Sequence, residues 1–417
     1  MRTPAFPVNP SSISRSLIMR ASLLLAVATA STFFVGCGSG SSEPVVVSEG
    51  PALSANESTA AERWMLVTRG IVGRREIGSP LGTTRAYALV AVAQYNASVA
   101  AGTTKRTGKR PSEAAAVSSA AALVLGSLYP AELSVINAQV AADAIYFPAF
   151  ASEADASYSD GTTVGNTAGT AVLARAATDR TDAVFTGIVP TGAGYWVNVP
   201  PAQPIGPRWG EAKPWLLTSG SQFRSAPPPA FNSATYTSAL AEVKAMTVNI
   251  TPAQLVVAQF WQYGSGPGGP MGYFTELATT SITAAHMNER QTARVYAVLH
   301  MAMMDASIGC WDSKYTYWFV RPYQADPTLA TPVGRPNFPS YPSAHSCVSS
   351  AAAGVIAGLF PNTKSLMDAK VEEAGLARMY AGLHYRFDIT AGQDIGYKVA
   401  ALALARVPAA NAAIPLN

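Results

Sequence analysis

Apolar residues recur at helical spacing through most of the chain. From residue 62 to residue 101, Trp64, Leu66, Val67 and Ile71 lead into the run AYALVAVAQYNASVAA, rich in Ala with aromatics at wide intervals. The same periodicity predicts helices over 112–128, 130–145, 170–182, 233–244, 252–262, 283–307, 346–359, 364–380 and 388–406. Residues 187–230 break it with a Pro-punctuated stretch that no regular helix accommodates. No alternating run is long enough to predict a substantial sheet. The pattern is that of an all-α protein.

A repeat organises these helices. PSEAAAVSSAAALVLGSLYP (111–130) and PSAHSCVSSAAAGVIAGLFP (342–361) are identical at 11 of 20 positions, 231 residues apart. Upstream, 86–101 aligns with 295–310, with Tyr87 against Tyr296 and Ala97-Ser98 against Ala306-Ser307. Shared Pro-Ser openings and Leu-aromatic-Pro closings make duplication a better account than similarity of Ala-rich composition. Two related helical bundles are expected, at 62–186 and 233–417, joined by a Pro-rich connection at 187–232. Ala114 stands where the second copy has His345, so the chemistry is expected in the second bundle.

The first 36 residues change the picture of where the protein works. Arg15 and Arg20 precede an apolar run ending at Gly36, followed by Cys37 and GSGSSEP. That order describes a lipoprotein-type export signal over 1–36, with Cys37 as the lipidated residue and a flexible linker over 37–61. An ordinary signal peptide and an uncleaved anchor helix are the alternatives. No later segment has the roughly 20 uninterrupted apolar residues of a membrane span, so any membrane contact is expected through the lipid, at a periplasmic or cell-surface location. Hydrophobic residues make up 49% of the 417-residue chain and charged ones 13%, which excludes a largely disordered chain. Of 29 basic residues, Arg2, Arg15 and Arg20 lie in the leader; the remaining 26 face 25 acidic ones, leaving no electrostatic footprint for nucleic acid. Three Cys cannot frame a disulfide scaffold.

Three segments carry candidate chemistry. Lys314 and Arg321 flank an aromatic stretch, and Pro322 pushes Arg321 toward an extended backbone. Ser343 stands where a helix N-cap belongs, which directs the free amides of Ala344 and His345 outward as an oxyanion site. His384 and Asp388 are four apart, on one face if a helix begins near Gly382, so Asp388 can hold Nδ1–H and leave Nε2 free. Arg378, before Gly382, is expected to enter from a loop. Three cations, neutral donors and two imidazoles suit a tetrahedral oxyanion such as phosphate or vanadate, opposite a His that bonds its central atom. They suit neither a Zn or Fe first shell nor a Ser-His-Asp hydrolase, and no G-x-S-x-G occurs. His300, in an apolar helix, reads as a hydrogen-bonded core residue, and His286 fits no motif. Cys310 and Cys347 lie beside the motifs, either as a disulfide or as buried thiols.

The order K-x6-R-P, P-S-A-H and R-x5-H-x3-D resembles the type 2 phosphatidic acid phosphatase and vanadium haloperoxidase superfamily. FPSYPSAH, GLHYRFD and DASIGCWDSKYTYWFVRP are most similar to vanadium chloroperoxidases and their bacterial relatives, strongly over 255–396. The resemblance implies that Lys314, Arg321 and Arg378 hold oxyanion oxygens, with Ser343 and the Ala344 amide adding hydrogen bonds. It implies His384 as the ligand of vanadate or the phosphorylated nucleophile, Asp388 as its orienter and His345 as the acid–base group. Phe338 matches an aromatic of the halide pocket. Ala344 departs from the usual Gly and Ala377 from a frequent Ser, and the 260–266 segment lacks an acidic partner for the second Arg, a loss bearing on chlorination more than on oxyanion binding. The implied activity is a vanadate-dependent haloperoxidase using hydrogen peroxide and halide; the alternative is a phosphomonoesterase working through phosphohistidine with no cofactor.

The leader makes the first prediction. In a bacterial host the mature protein should begin at an acylated Cys37 and partition with membranes, and Cys37→Ser should release or leave it unprocessed. Intact mass showing cleavage elsewhere without an acyl group would refute this.

Overall fold

The computed structural model describes residues 58–76, 78–104, 108–198, 201–264, 269–406 and 411–416. The expected leader, Cys37 and residues 37–57 of the linker lie outside them. The chain winds through α1 (Ala60–Arg75), α2 (Pro80–Thr103), α3 (Glu113–Leu128), α4 (Leu133–Tyr146) and α5 (Tyr158–Ala176). After the connection come α6 (Ala234–Val248), α7 (Pro252–Gln259), α8 (Gly269–Ala284) and α9 (Glu289–Tyr317). The short α10 (Pro322–Ala325) precedes α11 (Ala344–Leu359), α12 (Lys364–Tyr380) and α13 (Arg386–Arg406). Among the described residues the sheet is one parallel pair, Arg110–Pro111 (β1) with Ala156–Ser157 (β2). No described helix is long and apolar enough to cross a membrane.

Several boundaries differ from the sequence expectation, for identifiable reasons. Thr59 and Glu62 form a capping box that starts α1 at Ala60, inside the expected linker. The stretch 62–101 is two helices, because Pro80 opens α2 behind its Ser79 cap. α5 begins at Tyr158, well before residue 170, although its first half is rich in Gly and Thr. α8 was absent from the expected elements. It opens on Gly-Pro and is dense in Thr, so propensity is low, yet its buried Met271, Phe274, Ala278 and Ile282 keep the helical period. Tertiary packing overrides propensity in both.

The two copies of the repeat keep the same local contacts in the structure. Ser112 caps α3 by accepting the Ala115 amide, and Ser343 caps α11 by accepting the Ser346 amide. Each of these 16-residue helices ends before a 3-10 turn opened by Pro130 or Pro361. The Ser112 amide donates to the Ser157 carbonyl at 3.0 Å, and the Ser343 amide to the Asp388 carbonyl at 2.9 Å. Close helix approach is repeated as well. A Cβ at Gly165 would lie 2.2 Å from the Ala116 carbonyl oxygen, and one at Gly396 2.3 Å from that of Cys347. All these pairs keep the 231-residue offset of the repeat. Only glycine lets α5 and α13 ride against α3 and α11 at backbone distance.

One hydrophobic cluster runs through both bundles, with α2 and α9 buried along nearly their whole lengths at its centre. The connection is tied to α9 by polar contacts. The buried Asp305 carboxylate accepts the amides of Trp215, Leu216 and Leu217 at 2.6–2.8 Å. Trp311 and Tyr315 donate to the Ile205 carbonyl at 3.1 and 2.6 Å. The chain end returns to the first bundle, where Asn96 exchanges two hydrogen bonds with the Ile414 backbone.

Gly165→Ala and Gly396→Ala should each cost about 1–3 kcal/mol by forcing these helix pairs apart. Gly70→Ala, whose Cβ meets nothing nearer than the Arg74 side chain at 3.5 Å, should be neutral or stabilising. Calorimetric Tm values that do not separate the first two variants from the third would contradict the close-approach account.

Candidate active site

Each site residue is held by an element whose local sequence explains its position. Lys314 lies in the last turn of α9, which ends when Trp318 takes a left-handed conformation at φ 49°. The chain then runs extended to Arg321 (φ −78°, ψ 151°), as expected of a residue before Pro322. Ser343 caps α11 and directs the first amides of that helix outward. Two corrections concern the third motif. Arg378 projects from the last turn of α12, not from a loop. His384 lies in the turn before α13, not in a helix, because Gly382 at φ 68° breaks the chain and α13 starts at Arg386.

The Lys314 ammonium and the Arg321 guanidinium are 0% exposed, Arg378 is 2% exposed, and Asp388 is 0% exposed. Main-chain oxygens take up much of this charge. Lys314 Nζ donates to the carbonyls of Pro339 (2.9 Å), Ser340 (2.8 Å) and Pro342. Arg321 donates to Phe338 O through Nε (3.1 Å) and Nη2 (3.0 Å), and to Leu383 O through Nη1 (2.9 Å). Burial pulls Lys314 down to about 8, opposed by Cys310 and reinforced by Arg321. Burial also lowers Arg321.

Neighbouring groups settle both imidazole tautomers. Arg321 Nη1 lies 2.9 Å from His384 Nε2 and can only donate, so Nε2 carries a lone pair. The proton is therefore on Nδ1, which donates to Asp388 Oδ2 at 2.8 Å. Burial, then Arg321 and Lys314, push the His384 pKa well below its ordinary value, so the ring is neutral. His345 Nε2 lies 2.9 Å from the Trp261 carbonyl, which can only accept; that nitrogen carries the proton and Nδ1 the lone pair. Burial, with Arg378 next, lowers the His345 pKa in the same sense.

Asp388 is the only carboxylate among these groups. Its Oδ2 also accepts the Ser340 hydroxyl at 2.5 Å and the Tyr385 amide at 3.2 Å. Burial raises its pKa to about 6, against the pull of Ser340, Lys314 and Arg321. Phe338 lies under the cations, its ring centre 5.2 Å from Lys314 Nζ and 5.0 Å from Arg321 Cζ. It packs on Trp311 at 5.1 Å, and Trp311 lines an apolar pocket of about 40 Å³ beside His345. Leu81 and Thr84 of α2 and Met271 of α8 form other walls of that pocket, so the first bundle contributes to the site.

The structure thus brings together Lys314, Arg321, Phe338, Ser343, Ala344, His345, Arg378, His384 and Asp388. Cys310 and Cys347 are buried free thiols beside them. His300 is a core residue, stacked on Tyr87 at 4.6 Å and 3.3 Å from the Thr275 hydroxyl. Ser340 lies within FPSYPSAH, where the sequence alone gives it no part. The Trp261 carbonyl carries no signal in the sequence, being a main-chain atom in the π-helical turn Phe260–Gly264.

Ser340→Ala should move the Asp388 titration upward from about 6, since the hydroxyl favours the charged form. It should also cost about 1–3 kcal/mol by leaving a buried acceptor short of a donor. An unchanged carboxyl titration by carbon-detected NMR would show that the bond does not act on Asp388.

Residues 295–412 match the sequence model of the PAP2 superfamily. No curated protein matches the chain. Among solved structures, a bacterial vanadium-dependent iodoperoxidase superposes with a TM-score of 0.69 at 24% identity, covering 83% of this chain and 94% of that one. The holo form of a bacterial vanadium-dependent chloroperoxidase gives 0.64 at 15% identity, covering 79% and 92%. The PAP2 match thus falls within the second bundle, and the chain shares its fold with these bacterial vanadium-dependent haloperoxidases.

Proposed function

We propose that the chain is an exported haloperoxidase that uses His-bound vanadate to oxidise halide with hydrogen peroxide. One observation carries the reading: the buried cations Lys314 and Arg321, with Arg378 close by, face a neutral imidazole lone pair, and Asp388 is the carboxylate that the described residues set beside them. A compact, multiply charged oxyanion balances that excess; a neutral or cationic ligand does not. The residues therefore fit vanadate. Arg321, Arg378, the Ser343 hydroxyl and the Ala344 amide would hold its oxygens, Lys314 would add charge from its cradle of carbonyls, and His384 Nε2, once Arg321 turns its N–H to the oxyanion, would be the one protein atom bonded to its centre. Vanadate, when bound, supplies a Lewis-acidic centre that activates hydrogen peroxide toward halide.

The chain's own residues prepare that chemistry. Asp388 fixes the His384 tautomer and keeps Nε2 basic. The cations, held on main-chain carbonyls before any ligand arrives, form a preorganised field. His345, with its proton committed to the Trp261 carbonyl, presents Nδ1 as the acceptor for a peroxide proton. Phe338, Trp311 and the apolar pocket exclude water from the side where halide would approach. The leader sequence supports lipid anchoring at a bacterial membrane.

A phosphomonoesterase working through phosphohistidine on His384 uses the same oxyanion cradle. It would need a proton from His345 for the leaving group, and burial, then Arg378, lower the His345 pKa.

Purified protein titrated with vanadate should gain peroxide-dependent halide oxidation, with p-nitrophenyl phosphate hydrolysis measured on the same preparation without vanadate. His384→Ala should abolish the vanadate response. Arg321→Ala or Arg378→Ala should weaken oxyanion affinity about ten- to a hundredfold, as loss of one charge-assisted contact implies. Phosphatase turnover with no vanadate-dependent oxidation would transfer the assignment to the phosphomonoesterase. Wild-type vanadate affinity in His384→Ala would dismiss the site.

A further inference from the structure

A chain of two hydrogen bonds runs outward from His345 to a residue with no part in the site so far. His345 Nε2–H donates to the Trp261 carbonyl at 2.9 Å, and the Trp261 indole Nε1–H donates to Glu373 Oε1 at 3.0 Å. Glu373 lies half-buried on α12. It is held in turn by Lys370, whose Nζ is 3.2 Å from both carboxylate oxygens.

Trp261 is therefore fixed at its two ends. Its ring is fully buried against Phe260 and Tyr273, edge to face with each at 5.6 Å, and against Phe274 at 6.2 Å. Packing of this kind excludes water but tolerates small rotations of the ring. The bond to Glu373 does not, because an N–H donor is directional. Trp261 stands in the π-helical turn Phe260–Gly264, where the regular α-helical ladder of α7 gives way. Anchoring of the side chain takes over there from the ladder in setting where the carbonyl points.

The duplication supplies a comparison within the same molecule. At the 231-residue offset, Glu373 corresponds to Ala142 and Lys370 to Gln139, both on α4. Ala142 is exposed. The helix frame common to the two bundles thus has no need of a carboxylate at this position. It is present in the bundle that has His345 and absent from the one that has Ala114 in that place. The last turn of α12 also carries Arg378, near enough to His345 to lower its pKa. The joint between Trp261 and Glu373 therefore sets the helix that delivers Arg378 in register with the imidazole that faces it.

We propose that Glu373 is a positioning residue for His345. Acting through the indole and carbonyl of Trp261, it holds the Nε2 proton in place and so keeps the Nδ1 lone pair available for proton transfer. Glu373 itself touches no ligand. The role rests on the reading of His345 as the proton-handling group, and not on which of the two reactions is native.

The ring N–H protons of His345 and His384 report separately, one bonded to the Trp261 carbonyl and the other to Asp388. In the intact protein with isotope-labelled histidine, each should give a hydrogen-bonded imidazole proton by NMR. Glu373→Leu should speed solvent exchange of the His345 proton at least about tenfold and leave that of His384 unchanged. Glu373→Gln keeps an acceptor for the indole and should retain the wild-type rate. Trp261→Phe should reproduce Glu373→Leu, and the two together should do no more than either alone. If Glu373→Leu does not fold, Trp261→Phe decides the question. In whichever assay the wild type turns over, Glu373→Leu should lower kcat about tenfold with KM little changed, part of the hundredfold or more that a positioned acid–base group contributes. Unchanged His345 exchange in Glu373→Leu, equal acceleration of both rings, no rescue by glutamine, or no hydrogen-bonded His345 proton in the wild type would overturn the proposal. Wild-type protein without turnover in either assay would instead overturn the proposed function, and the exchange measurement would still judge Glu373.

Discussion

Water is excluded from the volume shared by Lys314, Arg321 and Arg378, and among the described residues Asp388 is the carboxylate hydrogen-bonded into it. Positive charge in such surroundings is tolerable only where hydrogen-bond acceptors are brought to it. The second bundle is arranged around that requirement. The extended segment at 338–342 runs past α9 so that its carbonyls meet Lys314 and Arg321, and the turn at Leu383 delivers another. Asp388 ties these parts together: its side chain holds His384, Ser340 and the Tyr385 amide, and its carbonyl receives the amide of the α11 cap.

The scaffold that carries this arrangement was partly legible in the sequence. Ser112 and Ser343 mark helix starts because a capping hydroxyl is a local signal, and the repeat revealed the duplication because both copies kept their caps and closing prolines. The early half of α5 and all of α8 were not legible. Their Gly- and Thr-rich residues argue against helix one by one, and only contact with α3 or with the core reverses that balance.

The candidate site divides in the same way. Lysine, arginine, histidine and aspartate at fixed short spacings are readable, and all nine expected side chains of the second bundle converge. What was not readable is whatever depends on distant or main-chain atoms. Trp261 acts on His345 through its carbonyl, and Leu81 and Thr84 reach the His345 pocket from the first bundle. The placement of Arg378 in a helix and His384 in a turn reverses the expected local structure, and Gly382 dictates the break. Duplication also explains how a charged site arises without disturbing its frame: contacts that space the helices are glycine-to-backbone in both copies, leaving the pocket residues free to diverge.

The carbonyls that hold Lys314 have an implication for inheritance. Pro339, Ser340 and Pro342 offer the ammonium their main chain, which every amino acid possesses. No exchange of side chain deletes such an acceptor; only a change in the path of the chain removes it. As far as the lysine is concerned, those letters can change while it keeps its partners, Ser340 being held instead by its hydroxyl bond to Asp388, so the ammonium's environment is transmitted as a shape and leaves little trace in the alphabet.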